Sequence, residues 1–258
     1  MSLEENNNPL IFITVFNYGG IQLALNHYKS LTMVGIQNYM AYVTDEESVA
    51  VMQENGYNVT LIENASVDKN KLDFCTGDFN KLSYLRYHVA SSLIRAGNDV
   101  WYMDIDTVIL QDVRPIYKSY KANKIDMVLQ SDINMPCSGC VLYMASPDTA
   151  KIAEIVIDVK DKFPNDQICL FNVLRNIKDL HSGNVLKNVV NFVSFNINHF
   201  PNGLLFFDDD FVTTMPQHRE IKQQYRSSNE KPYFVHANWM IGNEKKIAAF
   251  KQKGLWFI

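Results

Sequence analysis

Over its first hundred residues the chain alternates between two apolar patterns. Unbroken apolar runs at 10–16, 39–43 and 57–62 have the length and content of buried strands. Between the first two, and again after the second, apolar residues recur at helical spacing, over 21–33 and over a segment that Asp45 is placed to cap and that reaches residue 55. A stronger helical stretch at 82–95 leads through the turn signal Ala96-Gly97-Asn98 into another apolar run at 100–103. Strands and helices alternating at this spacing predict parallel βαβ units in an α/β, doubly wound, mostly parallel sheet with helices on both faces. Beyond residue 110 the pattern loosens. Strands are expected at 127–130, 141–144 and 233–235, and helices at 147–160, 166–175 and 244–253. The stretch from about 180 to 230 is loop-rich, with short strand-like pieces at 189–193 and 204–207. No repeat or linker interrupts the chain. The expectation is one domain, with a regular half over about 10–110 and a specialised, loop-rich half over about 111–258.

The run Val100-Trp101-Tyr102-Met103-Asp104-Ile105-Asp106 ends an apolar strand in two carboxylates. On a strand, side chains two apart share a face, so Asp104 and Asp106 should point together while Ile105 returns to the core. An isolated D-x-D is commonly a solvated turn. This one sits between apolar runs, where charges are costly unless paired or metal-bound. The carboxyl end of a strand is where open α/β sheets bind ligands. A carboxylate pair there suits a divalent cation that in turn holds a phosphate.

Composition narrows the classes. With 258 residues and a net charge of -4, the chain can bury a sizeable core and carries no long basic run, which disfavours nucleic acid as a partner. No stretch approaches the length of an integral membrane segment, and the polar residues 1–8 do not read as a signal peptide. A soluble, cytoplasmic protein is expected. Of the four cysteines, Cys137 and Cys140 form a C-x-x-C that leads into a strand pattern and has no second pair to complete a zinc site. They read, with Cys75 and Cys169, as incidental loop and core residues. No G-x-G-x-x-G occurs, so a Rossmann dehydrogenase is disfavoured.

Two families share the acidic triplet. Asp104-Ile105-Asp106-Thr107, with Asp208-Asp209-Asp210 downstream, is similar to the haloacid dehalogenase phosphatases, in which the first Asp is a nucleophile. That family's strand normally comes near the N-terminus, its lysine has only weak candidates such as Lys187, and His236 is left unexplained. More of the chain resembles the GT-A fold nucleotide-sugar glycosyltransferases, and within them the nucleotide-diphospho-sugar transferase family. The carriers are Gly97-x-x-Val100-x-Tyr102-x-Asp104-x-Asp106-Thr107-Val108 after a helix with Arg86, then Pro136-Cys137-Ser138-Gly139, Asn165-Asp166-Gln167, and Val235-His236-Ala237-Asn238-Trp239 with Gly242 and Lys245. Ser138 departs from the Asn or Thr usual there.

The resemblance implies a metal-dependent transfer from a nucleoside diphosphate sugar, UDP favoured, to a glycan or glycoprotein acceptor. It assigns Asp106 and His236 to the metal, with Asp104 at the ribose or the metal, and Mn²⁺, or Mg²⁺ second, suits such donors. Asp166 and Gln167 would lie beside the anomeric carbon, although Asp166 also suits a helix N-cap. Arg86 and Lys245 would contact the diphosphate or base, although a lysine at a helix start usually faces solvent. The base would lie against Thr14, Phe16 and Asn17, with Tyr18 stacked on it. Phe200, Phe206, Phe207 and Trp239 suit a sugar-stacking acceptor cleft. A catalytically dead sugar-nucleotide binder is the remaining class.

Overall fold

The computed structural model of the chain describes residues 8–72, 76–180 and 190–258. Cys75, Lys187 and the first residue of the expected strand at 189–193 lie outside them. The main sheet has seven strands: β1 (Leu10–Phe16), β2 (Tyr39–Val43), β3 (Val59–Leu61), β4 (Asp99–Met103), β6 (Met127–Ser131), β7 (Pro136–Tyr143) and β8 (Phe192–Ser194), in the order β3-β2-β1-β4-β7-β6-β8. Neighbours from β3 to β4 are parallel, as are β6 and β8; β7 runs antiparallel to both β4 and β6. The mostly parallel α/β sheet expected from the sequence is therefore observed.

Strand alternation distributes the core between two faces. Phe12, Phe16, Trp101, Met103 and Leu142 pack with α1 (Ile21–Met33), α2 (Glu46–Glu54) and α4 (Arg114–Ala122). Ile13, Val15, Val100, Tyr102, Val141 and Tyr143 pack with α3 (Gly77–Arg95), α5 (Pro147–Val159) and α6 (Asp166–Leu180). Asp45 caps α2 as expected, accepting from the Ser48 N–H at 2.8 Å. Among the described residues no helix is long and apolar enough to cross a membrane.

Four expectations are corrected. Asp104 and Asp106 are not on the strand: β4 stops at Met103, as expected, the chain turns through 104–106, and β5 (Thr107–Ile109) joins a separate two-stranded sheet with β9 (Phe234–His236). The turn is closed by the Thr107 hydroxyl donating to the Asp104 carbonyl at 2.8 Å, so the carboxylates meet across a turn rather than by strand alternation. The piece at 204–207 is helical: α7 (Gly203–Phe206) is capped by the Asn202 side chain, which overrides its aromatic content. Helix α3 begins five residues before the expected 82, at Gly77, behind a Thr76 cap. The third strand is trimmed to three residues. Two further helices, α4 and α8 (Arg219–Ser227), had no clear apolar run to mark them.

Candidate active site

The site forms where the C-terminal ends of β1 and β4 meet the β5–β9 ribbon. Antiparallel pairing sets Thr107 opposite His236, which carries the imidazole to the residue after Asp106 across 130 positions of sequence. Asp104, Asp106 and His236 then present ligand atoms that all lie within 4.8 Å of one another, a group that could hold a metal ion. His236 Nε2 is 3.2 Å from Asp106 Oδ1 and 3.8 Å from Asp104 Oδ2. Lys246 approaches the other oxygen of Asp106 at 2.7 Å. Burial alone would raise the Asp106 pKa, but Lys246 and His236 outweigh it and hold the carboxyl well below the usual carboxylate range.

Gly139 on β7 backs this cluster. A Cβ there would lie 2.3 Å from Asp104 Oδ2 and 2.6 Å from His236 Cε1. The chain reserves that space for the two ligands. Gly20 does the same for Ile105, whose Cδ1 a Cβ would meet at 2.3 Å, which is how the residue between the acids returns to the interior.

Behind Asp104 sits a buried arginine. Arg86, from α3, donates to the Ser83 and Ser138 carbonyls at 2.8 and 3.0 Å, lies over the Tyr102 ring, and pairs with Asp104 at 3.3 Å and Asp166 at 3.7 Å. The Tyr102 hydroxyl also donates to Asp104. Asp166, at the start of α6, accepts from the Tyr87 hydroxyl at 3.3 Å. Its neighbour Gln167 donates Nε2 to Asp132 at 2.9 Å. Asp132 also accepts from Asn238 at 3.3 Å and from the Trp239 indole, so one carboxylate gathers three residues of the proposed motifs. Trp239 holds a left-handed backbone, φ 65°, a strain of the kind concentrated at ligand sites.

Arg86, Asp132, Asp166, Gln167, Asn238 and Trp239 line one cleft of about 570 Å³, together with Phe16, Asn17, Asp104, Asp106, Ser138, Gly139 and His236. The cleft takes in both chain halves, since His236 and Lys246 come from the second. Three expected contacts fall elsewhere. Thr14 is buried beneath α1 and outside the cleft lining, where its hydroxyl shares a 2.7 Å hydrogen bond with Tyr28. Tyr18 lies in a short 3-10 turn with its N–H on Asp45, leaving the ring at the surface and outside the cleft lining. Lys245 is exposed and borders a different depression with Asp209, Arg219 and Lys222; Lys246, about 100° further round the helix, is the one in the cleft. Asn17 lines the cleft, but its amide is committed to the Asp68 and Asn70 carbonyls, both at 2.7 Å. Arg86 lines it from below rather than reaching out to a nucleotide.

Of the aromatic residues expected in an acceptor cleft, only Trp239 lines it. Phe200 stacks on Phe195 at 4.3 Å and Phe207 meets Phe250 edge to face at 5.6 Å, both in the core; Phe206 packs partly buried beside the latter pair. Cys137, Cys140 and Cys169 are buried free thiols. The side chains in contact with the candidate site residues that sequence reasoning did not single out include Gln130, Asp132 and Lys246. An acid just past the end of a predicted strand was the available signal for Asp132.

Asp208 and Asp209, which suggested a phosphatase, pair with Lys253 and Lys222 and do not join the Asp104 cluster. Asp104 itself follows a fourth strand at the middle of the sheet. Comparison with known proteins agrees. The profile of the nucleotide-diphospho-sugar transferase family matches residues 34–250. Over 99% of its length the chain is 22% identical to the UDP-galactose:fucoside alpha-3-galactosyltransferase of Dictyostelium discoideum, and it spans 44% of that protein. In fold it is similar to the glycosyltransferase GlyE of Streptococcus pneumoniae TIGR4, with a TM-score of 0.56 at 13% identity, covering 96% of this chain and 64% of that one. It is similar also to mouse xyloside xylosyltransferase 1 in its apo form, with a TM-score of 0.52 at 10% identity, covering 90% and 98%. The phosphatase reading is thereby set aside, the GT-A architecture stands, and the chain belongs to the nucleotide-diphospho-sugar transferase family of glycosyltransferases.

Proposed function

We propose that this chain moves a sugar from a nucleoside diphosphate sugar, with UDP as the nucleotide, to a hydroxyl of a glycan or glycoprotein, and that it requires a divalent cation. The observation that carries the reading is the meeting of Asp104, Asp106 and His236 in a cleft that also holds Asp166 and Gln167. Two carboxylates and one imidazole fit Mn²⁺, with Mg²⁺ second, and Gly139 keeps the space beside them clear. Bound there, the cation would neutralise the leaving diphosphate and act as its template. Lys246 adds a second positive charge on the same wall. Phe16 and Asn17 remain the candidates for the base end, and the expected division into a nucleotide-sugar half (10–110) and an acceptor half (111–258) is kept as a description of binding. The cytosol is the proposed setting, on composition alone.

Gln167 and Asp166 both border the space for the donor sugar in this reading. Asp132 is a carboxylate and only accepts, so the nitrogen end of the Gln167 amide faces it and Oε1 is the end left for the sugar. A neutral amide takes no proton from an acceptor. Asp166, the only carboxylate of the pair, is engaged by Arg86 and Tyr87. That arrangement supports retention: the acceptor oxygen bonds to the anomeric carbon as the diphosphate leaves from the same side, and the acceptor proton passes to the departing phosphate oxygen.

A hydrolysis and transfer screen over nucleotide sugars, run with Mn²⁺ and with excess EDTA, tests both parts. UDP-galactose with fucosides is the first pair to include, given the relative above. Turnover is expected with Mn²⁺ and lost with chelator; full turnover in EDTA would refute the cation requirement. Donor binding without any turnover would instead establish the dead-binder alternative. The anomeric coupling in the product NMR spectrum is expected to match the donor's, and the opposite configuration would make Asp166 the base.

A further inference from the structure

We propose that Gln130 is a positioning residue for the cation site, holding His236 in the one tautomer and orientation that turns Nε2 toward Asp104 and Asp106. The proposal rests on the reading that those three residues hold a divalent cation. Gln130 lies on β6, fully buried, and its Oε1 is 2.7 Å from His236 Nδ1. Which end of the amide faces the ring is decided by its other end. Nε2 lies 2.9 Å from the Pro201 carbonyl and 3.3 Å from the Phe200 carbonyl, two groups that only accept. The amide nitrogen therefore points at the carbonyls and the amide oxygen at the imidazole. An amide oxygen accepts, so the hydrogen is on His236 Nδ1, and Nε2 is the nitrogen whose lone pair is available to a cation.

The chemistry also accounts for the residue type. A carboxylate at 130 would set negative charge against two carbonyl oxygens, and an apolar side chain would leave Nδ1–H without its close acceptor in a buried place. The remaining neighbour of Nδ1, the Cys137 thiol at 3.9 Å, is a weak substitute. Only an amide serves both sides. Partners of this kind, one bond removed from the metal, fix ligand orientation and contribute to affinity.

The test reads Mn²⁺ affinity of the purified protein from the electron paramagnetic resonance of free Mn²⁺, with no donor present. Gln130→Met is expected to bind Mn²⁺ about 10- to 100-fold more weakly while keeping its circular dichroism spectrum. Gln130→Glu, which keeps an acceptor for Nδ1–H, should fall between Met and wild type. Because Gln130 acts only through His236, His236→Ala and the double variant His236→Ala/Gln130→Met should bind Mn²⁺ equally. In the Mg²⁺-loaded wild type, ¹⁵N–¹H correlation should report the Nδ1–H tautomer for His236. A folded Gln130→Met with wild-type affinity, losses that add in the double variant, or an Nε2–H tautomer would each overturn the proposal. If Gln130→Met does not fold, Gln130→Glu replaces it in the same cycle, and wild-type affinity or additive losses there overturn the proposal equally. A wild type that binds no Mn²⁺ overturns the cation reading instead.

Discussion

Replacing Asp106 with alanine is expected to lower kcat on the order of 10³-fold with any donor the protein accepts, and to do more harm than Asp104→Ala. The two acids look equivalent in the sequence but not in their surroundings. The Asp106 side chain is 7% exposed and faces the Lys246 ammonium at 2.7 Å and His236 Nε2 at 3.2 Å. Its removal deletes a ligand beside His236 and leaves Lys246 without its counter-charge. Asp104 is 29% exposed, and its partner Arg86 keeps its bonds to the Ser83 and Ser138 carbonyls and its pairing with Asp166. Losing one of few ligands forfeits several kcal/mol of charge stabilisation in the transition state, which is about three powers of ten in rate. Parallel kinetics of the two variants at saturating Mn²⁺ check the order. Wild-type activity in Asp106→Ala would refute the ligand assignment.

The second large effect should come from adding one methyl group. Gly139→Ala would put its Cβ 2.3 Å from Asp104 Oδ2 and 2.6 Å from His236 Cε1, and neither neighbour can step aside easily. Asp104 is tied to Arg86 and Tyr102, and the ring is tied to Gln130. The strand cannot retreat either, because the Asp104 N–H donates to the Gly139 carbonyl at 2.7 Å. Overpacking of this kind costs about 1–3 kcal/mol, a few degrees to about ten degrees in melting temperature for a chain of this size. The larger loss falls on function, since the methyl displaces two of the three ligand side chains. Mn²⁺ affinity is expected to fall on the order of 10²-fold. Calorimetry with Mn²⁺ alone, beside a thermal melt, separates the two effects. A Gly139→Ala variant that binds Mn²⁺ and turns over like wild type would mean that the glycine is not reserving space for the site.

Much of the architecture was legible because strands and helices state their periodicity locally. The runs at 10–16, 21–33 and 39–43 became β1, α1 and β2 at the same boundaries, since each has an apolar pattern and a turn on either side. The piece at 204–207 failed the same reasoning, because four apolar residues carry no readable period and the Asn202 cap decided for a helix. The acidic pair was legible as a site from its place after a buried strand. Strand alternation is not what gives the two carboxylates a shared direction, since a turn brings them together.

By itself, then, the sequence determined the parallel βα half, the position of Asp104 and Asp106 at the end of a buried strand, and the likeness of four short motifs to one family. Those properties depend on neighbours a few residues apart. Tertiary structure decided which distant side chains answer them. Pairing of β5 with β9 selected His236, and strand β6 supplied Gln130 behind the imidazole, with Asp132 just past its end behind Gln167. A single step around α9 (Asn243–Gln252) chose Lys246 over Lys245, and a 3-10 turn sent Tyr18 to the surface. No local period encodes such choices. They follow from how separate elements pack against one another, and a rotation of one residue is enough to exchange a cleft residue for a solvated one.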